Sequence, residues 1–188
     1  MVGLGNPGAE FAGTRHNVGA ETVALLVGRH GGRLRAEKGL QAAATTLETG
    51  GRRVMLAVPT TYMNESGLAV GPLVRRAGVG ARLADGLVVV HDELDLPSGR
   101  VRIKAGGGTA GNNGLNSVVA HLHSKEFLRV RIGIGKPPGR QAGADYVLRR
   151  PGKEERSLLE VAMEQAADAV EVIASDGAEA AMNRFNGS

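Results

Sequence analysis

Four polar residues in this chain occupy places where side chains do chemistry. Asn6 follows the apolar start Val2–Gly5, and His16 lies in the run Thr14-Arg15-His16-Asn17. Asn64 lies six residues past the apolar segment Val54–Val58, and Asp92 directly follows the stretch Leu87–His91. A neutral imidazole held by a carboxylate is a general base able to activate water. Asparagine amides both donate and accept hydrogen bonds. Taken singly, each residue reads as a cap or a loop hydrogen bond. Their joint placement points to a site.

Other motifs compete for the same residues. Gly3-x-Gly5-x-x-Gly8 matches a dinucleotide fingerprint. However, Pro7 removes an amide from that loop, the next helix is expected near residue 17, and no acidic residue follows a second strand at the required spacing. His91-Asp92 suggests a metal-dependent phosphohydrolase but lacks a supporting His/Asp set. His121-x-His123 would place its rings about 200° apart around a helix. No G-x-S-x-G serine elbow is present.

For the four residues to meet, strands and helices must alternate. Val2–Gly5 reads as a strand entering the turn Asn6-Pro7-Gly8. Val18–Val27 has helical spacing (Val18, Thr22, Leu25, Leu26), with Thr14 or Asn17 as N-cap. Gln41–Leu47 and Val54–Val58 read as strands joined across Gly50-Gly51. Ser66–Ala77 reads as a helix capped by Asn64 or Ser66. Leu87–Val90 is the continuous apolar run of a strand buried on both faces. Arg100–Lys104 and Arg129–Ile134 alternate basic with apolar residues, which puts Arg100, Arg102 and Lys104 on one face, and Arg129 and Arg131 likewise. Asn112–Leu122 and Lys153–Ala174 read as helices, the second ended by Gly177. It is expected either to cover a sheet face or to act as a flap near the cleft.

The expected fold is α/β: one domain over residues 1–188, a three-layer αβα sandwich around a mixed, mainly parallel twisted sheet, with the early strand pairs open to antiparallel pairing. In such sheets ligands bind outside the carboxyl ends of the strands, where Asn6, Asn64 and Asp92 fall.

Composition narrows the function. The 188 residues are 42% hydrophobic and 22% charged, as in ordinary globular domains. No apolar run approaches the roughly 18–20 residues of a membrane span, and no basic-then-apolar leader opens the chain. The absence of cysteine excludes disulfides, thiol nucleophiles and thiolate metal sites, and fits a reducing cytoplasm. Residues 95–150 hold ten basic and three acidic side chains, a net +7, whereas residues 151–188 hold three and eight, a net −5. That basic stretch is either a solvated face or the footprint of a polyanion, nucleic acid first. With aromatics confined to Phe11, Tyr62, Phe127, Tyr146 and Phe185, multi-base stacking is not expected.

Six motifs stand in one order: Val2-Gly-Leu-Gly-Asn-Pro-Gly8, Thr14-Arg-His-Asn17, Pro59-Thr-Thr-Tyr-Met-Asn-Glu-Ser-Gly67, His91-Asp-Glu-Leu-Asp-Leu-Pro97, Gly106–Leu115 and Arg129-Val-Arg-Ile-Gly-Ile-Gly135. Over nearly the whole chain this resembles the bacterial peptidyl-tRNA hydrolases. The resemblance implies cleavage of the ester between a nascent peptide and the terminal ribose of tRNA, recycling tRNA from aborted translation. It implies no metal, no cofactor and no membrane partner, and a monomer is the expected state. By the resemblance His16 is the base that activates water, and Asp92 orients and polarises it. Asn6 and Asn64 hold the site and the peptide backbone. Asn113 binds substrate and helps with the attacking water, with Asn112 adjacent in the cleft. Met63 and Phe11 line the cleft, Phe11 standing where the family often has tyrosine. Lys104 and Arg131 lie near positions that contact tRNA phosphate, Arg129 being the alternative to Arg131.

The sequence also departs from that pattern. Ala110-Gly-Asn-Asn-Gly114 stands where relatives commonly have Gly-Gly-His-Asn-Gly, so Asn112 replaces a histidine, and Thr109-Ala110 replaces glycine-rich versions. The first strand, starting at Val2, is expected to be short. The competing reading is an RNA-binding relative whose turnover was lost through the changes at 109–112. Intact His16 and Asp92 favour the enzyme.

Overall fold

An apolar run with no polar alternation needs cover on both faces, and Val88–Val90 has it: every residue of the strand it belongs to is buried. The computed structural model describes residues 1–137, 139 and 142–187. In chain order the elements are β1 (Val2–Gly3), α1 (Val18–Arg29), β2 (Arg35–Glu37), β3 (Ala42–Thr49), β4 (Arg52–Pro59), α2 (Ser66–Ala77), α3 (Leu83–Gly86), β5 (Val88–Glu93), β6 (Val101–Ala105), α4 (Asn113–Leu122), β7 (Leu128–Gly133), α5 (Gly143–Val147), α6 (Lys153–Asp176) and α7 (Ala178–Phe185).

The seven strands form one sheet in the order β2-β3-β4-β1-β5-β7-β6. Its centre, β4-β1-β5-β7, is parallel. The edges are antiparallel: β3 against β2 and β4, and β6 against β7. Helices α1 and α6 cover one face, packing Val23, Leu26, Leu159, Ala166 and Val170 on Val88, Val90, Val130 and Ile132. Helices α2 and α4 cover the other, packing Val70, Leu73, Leu115 and Val118 on Val2, Val89 and Phe127. The three-layer arrangement and the mixed sheet agree with expectation, and of the two roles open to α6 it takes sheet cover.

Backbone contact sets the height of α1 above the sheet. A β carbon on Gly3 would collide with the carbonyl of Gly19 in α1, and one on Gly19 would collide with the carbonyls of Val90 and Leu4. Only glycine permits this approach. Leu4 N donates to Val90 O at 3.0 Å, and Ala20 N donates to Leu4 O at 2.9 Å. The start of α1 is thereby hung at the carboxyl ends of β1 and β5.

Several local expectations are corrected. Neither Thr14 nor Asn17 caps α1 through its side chain, because a 3-10 turn, Arg15–Asn17, precedes the helix and engages those residues elsewhere. Another 3-10 turn, Met63–Glu65, precedes α2, so neither Asn64 nor Ser66 caps it, and the Ser66 hydroxyl donates to Met63 O instead. Asn112 lies outside α4 as its N-cap, accepting from Leu115 N. Arg100 precedes β6 rather than lying within it. The segments that form β2, α3, α5 and α7 were not anticipated; the first three have only three to five residues, too few for an apolar period to show.

Candidate active site

The 3-10 turn ahead of α1 carries His16, and β5 carries Asp92 on the face that α1 covers; both are buried. Their side chains meet, His16 Nδ1 to Asp92 Oδ1, at 2.8 Å. A carboxylate oxygen accepts, so Nδ1 bears the hydrogen, and in the neutral ring Nε2 keeps its lone pair. Nε2 has no hydrogen-bond partner among the described residues, and His16 lines a cavity of about 130 Å³. Asp92, Asn112 and Asn113 line the same cavity, as do Gly143, Ala144 and Val147 of α5. Asn112 Nδ2 also donates to Asp92 Oδ1, at 3.1 Å, while its own Oδ1 caps α4. Asn113 is exposed at the first position of α4, its side chain without a partner among the described residues.

Asn6 is built in from both sides. Its backbone N donates to Asn17 Oδ1 at 2.8 Å and its carbonyl accepts from Asn17 Nδ2 at 2.9 Å. Its own Oδ1 accepts from Met63 N at 2.8 Å, leaving the Nδ2 donor unused among the described residues. Asn64 is exposed in the neighbouring turn. Met63 is 3% exposed, its thioether packed under Gly114, so what it gives this constellation is the amide that holds Asn6. Phe11 meets Tyr62 edge-on, ring centroids 6.3 Å apart, and Tyr62 is exposed. Sequence reasoning passed over Tyr62 and Asn17 as site residues although both stand inside quoted motifs.

Pairing of β6 with β7 sets Arg102 opposite Arg131 and Lys104 opposite Arg129, so all four share a face. They do not share an environment. Arg129 is enclosed, donating to the carbonyls of Gly107 and Gly108 with its guanidinium over the Phe127 ring, and burial lowers its pKa. It braces the loop that leads to Asn112. Arg131 is half-buried, its Nε on Glu93 Oε2 at 3.0 Å, and Lys104 is exposed without a partner among the described residues.

His91 lies beneath the site, on the α2/α4 face of β5. Its Nδ1 donates to Asp92 O at 2.7 Å, and burial pushes its pKa below the ordinary value. His30 stands at the end of α1 against Glu171, and His123 ends α4 in a left-handed conformation, both outside the cavity. Among the described residues no group of three or more His, Cys, Asp or Glu is placed to hold a metal ion, and no helix is long and apolar enough to cross a membrane. A larger cavity, about 530 Å³, lies at the amino ends of the strands among Arg53, Arg76 and Arg82 and includes none of the residues above.

A buried imidazole–carboxylate pair at the carboxyl end of a parallel strand, flanked by amides in an α/β fold, is chemically able to activate water. Comparison with known proteins makes the assignment specific. The peptidyl-tRNA hydrolase family model matches residues 1–188, and the chain belongs to that family. A peptidyl-tRNA hydrolase of Mycobacterium tuberculosis is 48% identical over 186 residues, 99% of this chain and 96% of the relative. One from Mycobacterium sp. strain KMS is 50% identical over 183 residues, 97% of this chain and 94% of the relative. The crystal structure of peptidyl-tRNA hydrolase from Acinetobacter baumannii matches with a TM-score of 0.92 at 36% identity, covering 99% of this chain and 93% of that one.

Proposed function

We propose that the chain hydrolyses peptidyl-tRNA with His16 as general base and Asp92 as its orienting carboxylate. The observation that carries this reading is the 2.8 Å Nδ1–Oδ1 contact, which leaves Nε2 as the acceptor beside the cavity. Water attacks the ester carbonyl carbon as Nε2 takes its proton. The bond from that carbon to the terminal ribose oxygen then breaks, and the proton passes to the departing tRNA hydroxyl. Pair and water suffice for this step, so neither metal nor cofactor enters it. Amide donors such as Asn6 Nδ2 and the Asn113 side chain are suited to the developing oxyanion and to the peptide main chain. Asn64, Phe11, Met63 and Asn112 complete the substrate-binding set, the last two through the groups they hold in place.

A substrate class that spans any peptide and most tRNAs calls for phosphate contacts rather than base readout. Lys104 and Arg131 are the residues we assign to those contacts. The working unit is a monomer, a single domain over residues 1–188, acting in the cytoplasm where translation supplies the substrate.

Release of free tRNA from purified N-acetylaminoacyl-tRNA, with EDTA present, tests the reading against His16→Ala. Turnover by the parent and a loss of orders of magnitude in the folded variant support it. Binding without cleavage by the parent would replace it with the RNA-binding relative.

A further inference from the structure

We infer that Arg15 is a positioning residue for the reaction, fastening the turn that carries His16 to the α5 wall of the cavity. This rests on the role proposed for His16, which parent turnover and His16→Ala test separately.

The side chain of Arg15 is 9% exposed. Its guanidinium grips both oxygens of Glu155 at the start of α6, Nε to Oε1 at 2.7 Å and Nη2 to Oε2 at 2.5 Å. Nη1 donates to Arg149 O at 3.1 Å and Tyr146 O at 3.4 Å, and the backbone N of Arg15 donates to Arg149 O at 3.3 Å. The guanidinium plane lies over the Tyr146 ring, 4.1 Å from its centroid. Tyr146 is in turn pinned, its hydroxyl donating to Ile134 O at 2.8 Å just past β7. On the same short helix as Tyr146, residues Gly143, Ala144 and Val147 line the cavity.

The turn that holds His16 is therefore tied on both sides: Asn17 binds the loop at Asn6, and Arg15 binds α5 and α6. Only a planar fork can grip a carboxylate, reach two carbonyls and stack on a ring at once; a lysine ammonium cannot. A shift near 1 Å in a catalytic base costs about 100-fold in rate.

The test is Arg15→Lys, which keeps the charge and loses the fork, beside Arg29→Lys. Arg29 holds Glu164 and Asp168 on the far surface of α1 and α6 and so reports a comparable ion-pair loss remote from the site. Both are measured for thermal stability, kcat, KM and the pH profile of kcat. Arg15→Lys is expected to lower kcat by about 10- to 100-fold. KM should rise as the α5 wall loosens, and the profile should keep its shape because no titrating group changed. Arg29→Lys should lose stability alone. Equal stability losses with unchanged kcat and KM in Arg15→Lys would overturn the inference. Should Arg15→Lys fail to fold, Glu155→Gln, which releases one arm of the grip, decides: a fall in kcat supports the inference and unchanged kinetics overturn it.

Discussion

Asn112 donates through Nδ2 to Oδ1 of Asp92, the oxygen that also accepts from His16 Nδ1. One carboxylate oxygen thus takes a hydrogen bond from the base and another from an amide fixed at the N-terminus of α4. The Asn112 amide is itself locked, since its Oδ1 accepts from Leu115 N. Asp92 is held by a donor that cannot titrate.

Asp92→Asn keeps the shape of the site but removes the charge that faces the imidazole and allows the wrong tautomer. The expected result is a fall in kcat of about 10²- to 10⁴-fold. KM should change little, as Asp92 is buried and the substitution keeps its shape. Steady-state kinetics on a variant of native circular dichroism checks this.

His91 makes stability depend on pH. Burial lowers its pKa from the ordinary 6.5, so the folded protein keeps it neutral while the unfolded chain takes up a proton below that value. The unfolded state then binds more protons, and stability falls as pH drops from 6.5 toward the lowered value. The slope attributable to this group approaches about 1.4 kcal/mol per pH unit. Urea unfolding across that range should show it in the parent, and His91→Gln should remove that part.

Lys104→Ala should raise KM and leave kcat in place, because the residue is exposed on β6 and touches no member of the His16–Asp92 pair. The salt dependence of log KM should lose about one phosphate's worth of slope. Unchanged salt dependence would remove Lys104 from the tRNA-binding face.

Gly19→Ala places a methyl group against the carbonyls of Val90 and Leu4. Because both are backbone atoms of the central strands, the helix must lift. A loss of about 1–3 kcal/mol is expected in urea unfolding, together with loss of turnover, as His16 moves with α1.

The parts legible in the sequence are those with a period or a long apolar run. Leu87–Val90 announced a strand buried on both sides, and Ser66–Ala77 matched its helix end to end. The placement of Asn6 and Asp92 at the carboxyl ends of two strands that prove to be parallel neighbours follows from strand polarity alone. What stayed hidden depended on three-dimensional depth. Alternation puts Arg129 and Arg131 on one face but cannot say that Arg129 is enclosed by Gly107 and Gly108. Nor can it say that Met63 turns inward while Asn64 beside it stays exposed. Asn17 stands where an N-cap should, yet its amide pairs with the Asn6 backbone, a choice made by the glycine-set approach of α1. The partner of Arg15 is 140 positions away and carries no local mark.

That separation has a consequence for the life of the molecule. Every copy of this chain begins as a peptide esterified to tRNA, the substrate class of its family. His16 leaves the ribosome before the α5 wall and Glu155, which follow it far along the chain. A half-made copy has a histidine without its brace. The order of synthesis thus withholds the partner of Arg15 until 140 further positions have been made.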